Sequence, residues 1–82
     1  MLFKSPTMNI FVTGAGGYIG GSVATALIKR GHKVRGLTRS ATGAAQLKSY
    51  GITPVMGDLD DSRLLMQEAS VADMVINTAN AD

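Results

Sequence analysis

The residues whose types and spacing can do chemistry gather at a few places along the chain, and the first is Thr13-Gly14-Ala15-Gly16-Gly17-Tyr18-Ile19-Gly20. A glycine run lets the backbone turn tightly and approach an anion with no Cβ in the way. Where such a run leads from a strand into a helix, the free N–H groups and the partial positive charge of the helix end face the same anion. Spacing selects the version of the loop. The register Gly-x-Gly-x-x-Gly puts Ile19 where its third glycine belongs. A loop ending in Gly-Lys-Ser/Thr fails as well, because Gly20-Gly21-Ser22 has no lysine. Only Gly-x-x-Gly-x-x-Gly is filled, by Gly14, Gly17 and Gly20. The expectation is a turn that holds a diphosphate; the alternative is a glycine-rich turn without a ligand.

The second place is Leu37-Thr38-Arg39-Ser40. A site selective for NAD carries an acid here to accept from the ribose 2′-hydroxyl, and this segment has none. The guanidinium of Arg39 is able to pair with a 2′-phosphate through two parallel N–H bonds and to lie flat on an adenine. Ser40 and Thr42 are able to donate further hydrogen bonds, and the alternative for Arg39 is a solvated loop residue. The third place is Gly57-Asp58-Leu59, the fourth Val75-Ile76-Asn77-Thr78-Ala79-Asn80. Elsewhere, Asp60 and Asp61 read as helix caps, His32 as a surface residue or cap, and Met56 and Met74 as core.

Positioning these residues requires alternating elements. Asn9 to Thr13 is β-branched and aromatic and stops at the glycines, which reads as a strand buried on both faces. From Tyr18 to Arg30, Ile19, Val23, Ala26 and Leu27 recur at helical spacing, with Gly31 as the stop. Lys33 to Thr38 is the second strand, Thr42 to Tyr50 a short helix ended by Gly51, and Ile52 to Met56 the third strand. Pro54 lacks an N–H, which sends that strand to an edge. Asp60 or Asp61 caps a helix over Ser62–Ala69, with Leu64, Leu65 and Ala69 turned inward. Met74 to Thr78 is the fourth strand. Short connections between alternating strands and helices predict a parallel sheet with crossover helices.

Composition excludes several classes. The chain has 82 residues, 45% of them hydrophobic, with ten Gly and no Cys or Trp. A chain this short buries only about 60% of its unfolded surface, so one small domain is the upper bound. Without Cys there is no disulfide framework or thiolate metal site, and one His offers no cluster for zinc. No apolar run approaches the roughly 20 residues that span a bilayer, and no secretory signal opens the chain. A soluble cytoplasmic protein that does not engage membranes is expected. Net charge is +2; five of the basic residues fall between Lys29 and Arg39, but no aromatic stacking residues accompany them, which argues against nucleic acid.

The glycine spacing, with Thr13 before it and Tyr18-Ile19 before its last glycine, resembles the short-chain dehydrogenase/reductase superfamily. It looks most like the extended and atypical branches, the nucleoside-diphosphate-sugar epimerase/dehydratase and NmrA-like groups, over about Met8 to Asn80. The resemblance implies an α/β, Rossmann-like parallel sheet of four strands in the order 3-2-1-4. It implies that Gly14, Gly17, Tyr18, Ile19 and Gly20 hold a pyrophosphate, that Arg39 and Ser40 favour NADP over NAD, and that Asp58 with Leu59 holds the adenine. Ala79 is implied beneath the ribose, small enough to let the backbone come close. For Asp58 the alternative is the turn into the next helix. Asn77 departs from the His common at this point in the epimerase-like branch, and no catalytic role is assigned to it or to Asn80.

The superfamily's Tyr-x-x-x-Lys pair is missing, since Tyr18 is followed four residues on by Ser22 and Tyr50 by Pro54. Residues 1–7 read as an N-terminal extension and 8–82 as the first half of a dinucleotide-binding domain, inactive alone. The full-length parent would be an oxidoreductase or epimerase/dehydratase moving hydride to or from a carbonyl or alcohol substrate. A non-catalytic NADP sensor and an inactive self-associating fragment are the alternatives. An exposed fourth strand would favour self-association.

Overall fold

The hydrophobic runs become strands and the helical spacings become helices in the order expected. The structure, a computed structural model, describes residues 7–14 and 18–78, with side chains at 18–20 left out. Its elements are β1 (Asn9–Thr13), α1 (Tyr18–Lys29), β2 (Lys33–Thr38), α2 (Ala41–Ser49), β3 (Thr53–Met56), α3 (Ser62–Val71) and β4 (Met74–Asn77). The four strands form one parallel sheet in the order β3-β2-β1-β4. Pro54 sits in β3, at an edge as its missing N–H requires.

Strands alternate their side chains between faces, and the sheet uses this to build two layers. Ile10, Val12 and Val34 point to one face and form a buried cluster with Ala24 of α1 and with Leu47 and Ile52. Phe11 (1% exposed) and Leu37 alternate to the other face, where Arg35 meets Glu68 of α3. Helices α1 and α2 therefore cover one face and α3 the other. The chain reverses direction across the sheet between β3 and β4, which flank β2 and β1.

Two helix ends are built alike. After α1, Gly31 N–H donates to Ile28 C=O (2.9 Å) and His32 N–H to Leu27 C=O (3.1 Å). After α2, Gly51 N–H donates to Lys48 C=O (3.0 Å) and Ile52 N–H to Leu47 C=O (2.9 Å). Both are paired C-terminal bonds around a glycine of positive φ, 91° at Gly31 and 84° at Gly51. His32 also accepts at Nδ1 from the N–H of Met8, 3.1 Å away, tying the entry of β1 to the end of α1.

Several expectations about the core need correction. Met56 and Met74 are exposed, at 55% and 42%, because each lies on an edge strand that has a neighbouring strand on one side only among the described residues. On α1 the buried stripe runs through Ala24, Leu27 and Ile28, and Ala26 is exposed. On α3, Leu64 and Leu65 are half-buried as expected, but Ala69 is exposed and Glu68 turns in toward Arg35. The Arg35 Nη2 lies 3.0 Å from Glu68 Oε1. The contact is one of charge, for neither of these atoms nor the buried Nε of Arg35 has an aligned hydrogen bond.

Candidate dinucleotide site

The carboxyl ends of the parallel strands lie along one rim of the sheet, where open sheets of this kind hold their ligands. Register fixes the rim: Thr13 pairs with Asn77 and Thr38 with Met56. At the end of β1, the buried Thr13 donates from Oγ1 to Asn77 Oδ1 (2.6 Å). Its carbonyl accepts from the N–H (3.0 Å) and the hydroxyl (2.8 Å) of Thr78. These bonds hold β1 and β4 together where the glycine loop departs. Gly14 follows at φ 81°, a left-handed conformation that a side chain would strain.

At the ends of β2 and β3 the ladder runs one step further, with Gly57 N–H donating to Thr38 C=O at 2.9 Å. A Cβ at Gly57 would meet Leu64 Cδ2 of α3, the end of a flexible side chain that would have to move aside. Beyond it, Asp58 Oδ1 accepts from Asp60 N–H (2.8 Å), a turn closed by the aspartate itself. Asp61 caps α3, accepting from Leu64 N–H at 3.1 Å.

Between these ends opens a cleft of about 360 Å³ lined by Gly14, Leu37, Thr38, Arg39 and the segment Gly57 to Asp60. It brings together Gly14, Arg39, Asp58 and Leu59, four of the residues singled out from the sequence. Arg39 and Leu59 are exposed at its mouth. The Asp58 carboxylate is engaged in its turn through Oδ1, and a carboxylate has further acceptor positions on its other oxygen. Ser40 does not line the cleft; it caps α2, accepting at Oγ from Gly43 N–H at 2.9 Å. Its position directly before the first helical residue is the signal for that role. Tyr18, Ile19 and Gly20 form the first turn of α1. Gly17 and Ala79 lie outside the described residues.

A family model, that of the NmrA-like family, matches residues 6–82. The chain belongs to the NmrA-like family. Among curated relatives, an uncharacterized protein of Schizosaccharomyces pombe is 46% identical over 72 residues, covering 88% of this chain and 24% of the relative. The sterol-4-alpha-carboxylate 3-dehydrogenase (decarboxylating) of Dictyostelium discoideum is 39% identical over 71 residues, covering 87% of this chain and 22% of the relative. Among solved structures, the Bordetella bronchiseptica enzyme WbmH in complex with NAD⁺ superposes with a TM-score of 0.72 at 30% identity. That match covers 94% of this chain and 27% of the enzyme's. The chain thus spans about a quarter of the length of the relatives it matches. NmrA-like membership and the sheet order agree on a Rossmann-like dinucleotide-binding fold of the kind found in oxidoreductase and epimerase structures. Among the described residues no helix is long and apolar enough to cross a membrane.

Proposed function

We propose that this chain is the NADP(H)-binding portion of an oxidoreductase or epimerase/dehydratase-like protein. The observation that carries the reading is the cleft at the strand ends, which joins Gly14 to Arg39 and to Asp58-Leu59. In this reading Gly14, Gly17 and the first turn of α1 at Tyr18, Ile19 and Gly20 hold the pyrophosphate. Arg39 pairs with the 2′-phosphate, Asp58 accepts from the adenine amino group, Leu59 covers the ring, and Ala79 leaves room for the ribose. Ser40 has its lone pair on Gly43 N–H, which leaves its hydroxyl proton to donate.

The bound dinucleotide supplies hydride chemistry, and in a protein of the relatives' length it would act on a carbonyl or alcohol. Neither Tyr18 nor Tyr50 has a lysine four residues on, so these 82 residues bind rather than turn over. The alternative reading is a cofactor sensor without catalysis. The test is titration of the chain with NADPH and NADH, followed by nicotinamide fluorescence. Arg39→Glu is expected to weaken NADPH about tenfold, equivalent to ~1.4 kcal/mol, and NADH little, since the new acid repels a phosphate and not a hydroxyl. Equal weakening of both removes the basis for NADP preference.

We also propose that β4 pairs with a second copy of the chain. It is an edge strand, Met74 and Val75 are exposed along it, and unpaired strand edges recruit partners. Light scattering at high micromolar concentration is expected to give a dimer mass, and a monomer mass overturns the proposal.

A further inference from the structure

Three aspartates lie close together after β3, and the fold commits two of them. Asp58 closes its turn onto Asp60 N–H, and Asp61 caps α3 through Leu64 N–H. Asp60 is different: it is exposed, and its carboxylate has no hydrogen bond or ion pair among the described residues. Arg39 is in the same position, charged and without an ion pair. Both line the 360 Å³ cleft, and both line an adjoining hollow of about 370 Å³ with Gly57, Asp58 and Asp61. Two uncommitted charges of opposite sign therefore border one space without neutralising each other. Each acts on whatever charge enters it.

We propose that Asp60 sets the cofactor preference of this cleft, its carboxylate opposing the same 2′-phosphate that Arg39 attracts. The proposal rests on the dinucleotide reading above and adds to it a specificity-determining residue. A phosphate monoester carries about −1.5 to −2 charges at neutral pH, whereas NAD presents an uncharged hydroxyl at that position. Asp60 therefore penalises NADP and leaves NAD nearly untouched. The preference that Arg39 creates is held to a narrow margin, and the cleft accepts both cofactors. At the separations of a shared solvated cleft the repulsion amounts to about a three- to tenfold change in affinity. Salt screens it over a Debye length of about 10 Å at 0.1 M and about 3 Å at 1 M.

The experiment is calorimetric titration of the whole chain, of Asp60→Asn and of Asp60→Glu with NADP⁺ and NAD⁺, at low salt and at about 1 M salt. Asp60→Asn is expected to tighten NADP⁺ about three- to tenfold and to leave NAD⁺ within about twofold, with the gain lost at high salt. Asp60→Glu, which keeps the charge, is expected to keep the original ratio. If the parent chain binds both cofactors and Asp60→Asn leaves their ratio unchanged, or shifts both equally, the role of Asp60 is overturned and the dinucleotide reading stands. If the parent chain binds neither cofactor, both fall.

Discussion

On the α1/α2 face of the sheet, Ile10, Val12, Val34, Ala24, Leu47 and Ile52 close into one buried apolar cluster. On the α3 face the sheet supplies Phe11 and Leu37, but no residue of α3 is fully buried, and Met66 and Val71 stand exposed at 73% and 59%. What holds α3 is a pair of half-buried leucines, the Asp61 cap and the Arg35–Glu68 contact. The difference teaches where stability and the shape of the cleft are coupled. The loop carrying Asp58, Leu59 and Asp60 runs directly into α3, so one wall of the cleft hangs on the thinly packed layer. The other wall, at Gly14, follows from β1, which both layers bury.

The strongest way to break this comparison is to cut into both layers and compare the losses. Leu47→Ala is expected to destabilise by about 3 kcal/mol, because a fully buried leucine leaves a cavity in a close-packed cluster. Leu65→Ala, removing a half-buried side chain, should cost about 1 kcal/mol. Urea midpoints for the two variants give the answer, and equal losses would mean that the α3 layer is packed as tightly as the other.

A smaller effect sharpens the picture of the ion pair. Arg35→Met leaves Glu68 charged beneath the sheet with its partner gone, and is expected to cost about 2 kcal/mol. That is less than for a deeply buried pair, since the side chains of Arg35 and Glu68 keep 28% and 17% exposure. The double variant Arg35→Met/Glu68→Leu should recover most of the loss, by the same unfolding measurement. A double variant as unstable as the single one would show that the two charges act separately. The smallest effect belongs to Met66→Lys, expected within about 0.5 kcal/mol of the parent. A larger loss would mean that the outer face of α3 is covered in solution.

The fold was legible because each boundary carried a local signal. Glycines at 14, 31 and 51 occupy left-handed positions that end a strand or a helix, and Pro54 assigned its strand to an edge. That Gly14, Arg39, Asp58 and Leu59 border one cleft was legible because strand ends converge on one rim whatever the side chains are. What escaped was decided by neighbours distant in sequence. Met56 and Met74 looked like core by type, yet burial also depends on whether a strand lies at the centre or the edge of the sheet. No local signal turns Glu68 inward, because its matching cation, Arg35, comes from a strand on the far side of two intervening elements. The cap at Ser40 is hidden when the helix is begun at Thr42 instead of Ala41.

The clasp between β1 and β4 also joins the strand pair most distant in sequence. Asn9 N–H donates to Asp73 Oδ2 (2.8 Å) and Asp73 N–H to Asn9 C=O (2.7 Å) at one end, while Thr13 binds Asn77 and Thr78 at the other. These partners stand 64 or 65 positions apart, whereas every other strand pair is joined through a single neighbouring helix. Closure entropy rises with loop length, so the β1–β4 pair costs more to bring together than the two pairs joined through one helix. The rim at Thr13 is complete only with β4 in place, because Asn77 and Thr78 supply its partners.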